Sequence, residues 1–144
     1  MKIIFVGRQD ALVQAWENAF KDYEQISIVQ GSIFDLECDA LVSPANSFGY
    51  MDGGIDMQIS RFFGWNVQER LQKLIVEKHY GELIVGNAEI VPTDHSTIPY
   101  VISAPTMRVP MILRETVNVY LATRAVILLV LHGQLLDGTP VSEK

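Results

Sequence analysis

The chain has 144 residues, of which 49% are hydrophobic and 19% charged, enough apolar material for one domain spanning residues 1–144 and too much for a disordered segment. Seventeen acidic residues outnumber 11 scattered basic ones, for a net charge of -6, which disfavours nucleic acid as a partner but leaves small phosphorylated ligands open to binding by backbone dipoles. Cys38 is the single cysteine, so an internal disulfide is excluded and nothing points to an oxidising compartment. The apolar run at residues 1–7 is too short for a signal peptide. The run at 125–131 falls far short of the ~20 residues of a membrane span. A cytoplasmic protein without a membrane partner is the expectation.

Residues 3–6, a continuous apolar run stopped by Gly7, predict a first strand buried on both faces. From Asp10, expected to be the N-cap, the period becomes helical, with Leu12, Val13, Trp16 and Phe20 on one face. Residues 26–29 predict a second, β-branched strand and residues 40–42 a third. A helix is expected from near Ile55 to Phe63, where Gly64 interrupts, and a second one carries Val67, Leu71, Leu74 and Ile75 to about His79. Strands at 88–91 and 100–103 follow, separated by a surface loop at 92–96 in which His95 is expected to be exposed. Residues 113–131 read as one long helix, apolar nearly all round in its later part and so expected to be buried. His79, His95 and His132 have no metal-ligand spacing with each other or with Cys38, so no metal is expected, and no cofactor either.

The organising stretch is 40–56, A-L-V-S-P-A-N-S-F-G-Y-M-D-G-G-I-D. Strand, glycine-rich turn and helix start form an arrangement that binds anions, because a turn without large side chains lets backbone N–H groups approach and the helix start carries partial positive charge. Motifs of NTPases, dinucleotide dehydrogenases and α/β-hydrolases are absent from the chain. Cys38 lies between Glu37 and Asp39, a setting that raises a thiol pKa and argues against a nucleophile.

With S-P-A-N-S, G-G-I-D and Phe63-Gly64 in order, flanked by G-S-I-F-D-L-E-C-D-A-L-V from Gly31, G-E-L-I-V-G-N-A-E-I-V from Gly81 and I-S-A-P at 102–105, the chain resembles the macrodomain family. The resemblance implies a three-layer α/β/α fold with a mixed, mostly parallel central sheet, C-terminally incomplete here because a last strand and second Gly-rich loop are missing after residue 133. An unfinished sheet leads to the expectation of self-association. It also implies ADP-ribose or an ADP-ribosylated substrate as the partner, with hydrolysis at the distal ribose as the enzymatic extension.

Carried over by the resemblance, Gly53, Gly54 and Ile55 would hold the diphosphate, and Asn46 the distal ribose, an amide's donor and acceptor suiting adjacent hydroxyls. Asn46 and Asp56 are the implied catalytic pair, with Asp56 orienting or activating a water. Ser32, Ile33, Phe48 and Pro105 complete the implied ligand-binding set. Each has a plainer reading: Asn46 as a turn residue, Asp56 as a helix-start carboxylate, Phe48 as packing and Ser32 as a local cap. Ser32 replaces an Asp of the family pattern and Asp52 a Gly, which together with the missing loop support the alternative of a non-catalytic structural or protein-interaction domain with a degenerate pocket.

Overall fold

The computed structural model describes residues 1–143. They divide into two compact units, Met1–Glu37 and the remainder from Cys38. In the first, β1 (Ile3–Gly7) pairs in parallel with β2 (Ile26–Gln30), from Ile3↔Ile26 to Gly7↔Gln30, and α1 (Asp10–Phe20) connects them. The apolar face of α1 supplies Val13, which is buried, and Trp16 and Phe20, which pack against Phe5 with ring centroids 5.2 and 5.1 Å apart. The helix cap is Gln9, not Asp10: Gln9 is extended and its carbonyl accepts from Leu12 and Val13. Asp10 is instead the first helical residue, where its charge suits the dipole, and it accepts from Gln30 Nε2 at 2.5 Å. After β2, the Ser32 hydroxyl caps a 3-10 turn at Ile33–Asp35 by accepting from the Phe34 N–H.

The second unit contains β3 (Ala40–Ser43), α2 (Gly54–Phe63), α3 (Asn66–His79), β4 (Glu89–Pro92), β5 (Tyr100–Ser103) and α4 (Asn118–His132). Its sheet runs β3-β5-β4, with β5 parallel to β3 and antiparallel to β4. Because side chains alternate across a sheet, the register separates two sets of rows. Leu41, Val101 and Val91 form one row and Ser43, Ser103 and Glu89 another on the same face. That face meets α2 and α3, as Ser43 bonds to Asp56 of α2 and Glu89 to Lys78 and His79 of α3. The opposite face presents Ile102 and Ile90, which pack with Val126, Leu129 and Val130 of α4. Helices thus cover both faces of a mixed sheet, an α/β architecture of three layers within this unit.

Glycine punctuation sets the helix boundaries. The N–H of Gly64 closes on Ser60 to end α2, and Tyr80 takes the left-handed conformation, φ 55°, to end α3. Strand β4 is displaced one residue from its expected place and ends on Pro92, admissible on an edge strand.

Three further expectations are corrected. Helix α4 starts at Asn118 instead of residue 113, because the Thr116 hydroxyl donates to the Leu113 carbonyl and accepts from the Asn118 N–H, a local turn that competes with helix. Nor is α4 buried all round: Ala122 and Ala125 are its buried residues, while Val119, Tyr120 and Leu131 are exposed, since only one side of the helix reaches the sheet. His95 is half-buried, its ring centroid 5.2 and 5.5 Å from those of Phe62 and Phe63. No helix among the described residues is long and apolar enough to cross a membrane.

Candidate functional site

Past the ends of β3 and β5 the two chains continue side by side. Ala45 donates to Ala104, Thr106 to Ala45 and Ser47 to Arg108, and Asn46 makes a parallel bridge with Met107. The segment at 44–53 therefore follows the carboxyl end of β3, on the side of the sheet edge where open α/β folds leave a crevice for ligands. Pro105 stands opposite Ala45 in this pairing and is fully buried.

The Asn46 side chain closes its own loop. Its Oδ1 accepts from the N–H groups of Phe48 and Tyr50, at 3.0 and 3.3 Å, and its Nδ2 donates to the Tyr50 carbonyl at 2.7 Å. The turn reading of this residue is thus realised, with both amide heteroatoms engaged within residues 46–50. Downstream, Met51 is anchored at both backbone groups, donating to Gln68 Oε1 at 2.6 Å and accepting from the Ser60 hydroxyl at 2.9 Å. Leu83 donates to the Ser47 carbonyl at 2.8 Å. The loop is held on three sides before any ligand arrives.

Helix α2 then begins without a side-chain cap: Gly53 is extended, and the first intrahelical bond runs from Met57 to Gly53. The N–H groups of Gly54, Ile55 and Asp56 precede it, free of intrahelical partners. Gly53 and Gly54 are exposed, and a Cβ built on either would meet no atom within 4 Å, so a ligand has an open approach. Asp52 is exposed in the preceding turn.

Asp56, in the first turn of α2, is only 6% exposed, and one carboxylate oxygen accepts from the Ser43 hydroxyl. Burial pushes its pKa above the ordinary aspartate range, and the Ser43 bond partly opposes this. Phe48 is half-buried beneath the Arg108 guanidinium, 5.0 Å from the ring centroid, and Arg108 also pairs with Glu82 at 2.6 Å. Burial, with Asp39 second, raises the Cys38 thiol, as its acidic neighbours foretold.

Asn46, Phe48 and Gly53 lie in the segment between β3 and α2, and Gly54, Ile55 and Asp56 form the first turn of α2. Ser32 and Ile33 belong to the Met1–Glu37 unit, where Ser32 acts as the local cap described above. Sequence reasoning missed Ser43, Gln68, Ser60 and Arg108. Only Ser43 stood inside the organising stretch, and nothing in its spacing marked it as the partner of Asp56. No group of three or more His, Cys, Asp or Glu among the described residues is arranged to hold a metal ion.

An uncharacterised protein of Aquifex aeolicus (strain VF5) is 37% identical over 100 residues, covering 69% of this chain and 57% of its own length. This chain spans about half the length of the curated relatives it matches, 57%, 45% and 44% in turn. Among solved structures, the macrodomain of Thermus aquaticus DarG superposes with a TM-score of 0.60 at 19% identity, over 80% of this chain and 82% of that one. A point mutant of the Oceanobacillus iheyensis macrodomain with ADPR gives 0.56 at 20% identity, over 69% and 55%. At such identities the likeness is one of fold. The Macro domain family model matches residues 42–134, the region from β3 through α4 that carries the site, and the chain belongs to that family.

Proposed function

We propose that this protein binds ADP-ribose or an ADP-ribosyl group, with the diphosphate on the N–H groups at Gly53, Gly54 and Ile55 and the distal ribose beside Asn46. The observation that carries this reading is an uncapped helix start, reached through two exposed glycines and followed within its first turn by the buried Asp56. Backbone dipoles supply the positive potential, so an acidic chain needs no lysine there. The solved macrodomain with ADPR supports the ligand class. The reading extends to hydrolysis at the distal ribose, with Asp56 as base or water-orienting group and Asn46 positioning the sugar.

A calorimetric titration with ADP-ribose, using ADP for comparison, tests the binding. ADP-ribose is expected to bind tighter, and Asn46→Ala to remove that preference while lowering the thermal midpoint, because the loop loses three hydrogen bonds worth about 1 kcal/mol each. Binding of neither nucleotide would sink the reading and favour the second one, a non-catalytic interaction domain. That alternative draws on Asn46, whose amide is already engaged within its own loop. Self-association through the exposed apolar side of α4, at Val119, Tyr120 and Leu131, belongs to the same proposal. Light scattering is expected to show a species larger than the 16.2 kDa chain, and a stable monomer removes this part.

A further inference from the structure

The last residue of β3 is a serine, and its place in the sheet gives it one evident task. Ser43 is 1% exposed, too buried to touch a ligand, and its hydroxyl donates to the Asp56 carboxylate across from β3 to α2. We propose that Ser43 is a positioning residue of the site, fixing the Asp56 carboxylate in a single orientation. This rests on the proposed role of Asp56 in hydrolysis and adds to it the group that makes the carboxylate competent.

The argument is one of geometry first. A carboxylate in a buried site needs a donor, and the donor must come from an element that does not move with the helix. Strand β3 meets that need: Ser43 is paired to Ser103 in the parallel register, and its carbonyl accepts from both Ala45 and Ala104. The same face holds few other charges. Glu89, two strands away in the Ser43, Ser103, Glu89 row, is matched by Lys78 at 3.3 Å and His79 at 2.7 Å from α3. Asp52 is exposed in the turn ahead of α2, and Arg61 is exposed in its last turn. Burial raises the Asp56 pKa and the Ser43 hydroxyl bond lowers it. Removing the hydroxyl leaves burial unopposed.

Ser103 provides an internal control. Its hydroxyl lies beside Ser43 in the register, is 2% exposed and has no hydrogen-bond partner. Deleting it changes the same buried row without breaking the bond to Asp56.

The test is to follow Asp56 by carboxyl carbon NMR through a pH titration of the wild type, Ser43→Ala, Ser43→Thr and Ser103→Ala, alongside the pH profile of turnover on an ADP-ribosylated protein. Ser43→Ala is expected to move the Asp56 midpoint and the acid limb of kcat to higher pH with KM unchanged. Ser43→Thr, which keeps the hydroxyl, restores both, and Ser103→Ala leaves both in place. An unmoved Asp56 midpoint in folded Ser43→Ala overturns the assignment. A wild type that turns over no substrate while Ser43→Ala still shifts the Asp56 midpoint supports the Ser43 clamp and refutes hydrolysis, so the two failures are distinct.

Discussion

Asp56→Asn is expected to abolish turnover of an ADP-ribosylated substrate, spare ADP-ribose binding and raise the thermal midpoint at neutral pH. The stability part follows from burial. Asp56 is 6% exposed, and burial raises its pKa above the ordinary aspartate value of 3.8 despite the bond from Ser43. An acid whose folded pKa exceeds its unfolded one binds more protons in the native state, so its contribution is most favourable below 3.8 and is lost as pH rises through the folded value. Asparagine carries no charge and can still accept the Ser43 hydrogen bond through its carbonyl oxygen. The gain in midpoint should therefore be full above the folded pKa and vanish below 3.8. The activity part follows from chemistry: losing a general base costs about 10²–10⁴-fold in kcat. Melting curves across pH and single-turnover kinetics read the two effects separately. Turnover that survives in Asp56→Asn removes the residue from the mechanism, and a midpoint that falls at neutral pH shows the Ser43 bond to outweigh burial.

The pair of Asp56 and Ser43 marks the place where sequence and structure part company. The strands and helices were legible because their signals are local: period 3.6 in α3, the β-branched run of β5, glycine at the end of α2. The family motif located the segment between β3 and α2 for the same reason, since a turn and a helix start are written in consecutive residues. What was hidden depends on docking. Ser43 and Asp56 are 13 residues apart, and only the packing of α2 on β3 makes them partners. Arg108 reaches Phe48 only because the chain beyond β5 runs beside the Asn46 loop. Thr116 illustrates the converse: a stretch interrupted by neither Gly nor Pro suggested helix from 113, and one hydroxyl with two local bonds delays the helix to Asn118. Asn46 was legible as a turn residue for the same local reason, since its side chain bonds to the backbone of residues 48 and 50.

Two glycines in that segment are expected to fail in opposite ways. Gly49→Val should destabilise the protein by about 2–5 kcal/mol, combining the 1–2 kcal/mol of a left-handed backbone with the 1–3 kcal/mol of overpacking. Its φ is 69°, and a Cβ there would lie 3.0 Å from Ile75 Cδ1 and 3.2 Å from Leu71 Cγ, both on buried faces of α3. Neither side chain has room to yield in a close-packed core. The Asn46 loop must lift from α3, so ligand binding should be lost together with stability. Gly53→Val meets no such obstacle: the backbone is extended, φ -139°, and no atom lies within 4 Å of the new Cβ. It should melt within about 1 kcal/mol of the wild type, since exposed substitutions usually cost little. Its branched side chain would nevertheless stand where a diphosphate must approach the helix start, and ADP-ribose affinity should fall at least tenfold, about 1.4 kcal/mol. Denaturant melts and calorimetry on both variants separate the cases. A stable Gly49→Val would show that the loop is not seated on α3 as described, and unchanged affinity in Gly53→Val would place the diphosphate elsewhere.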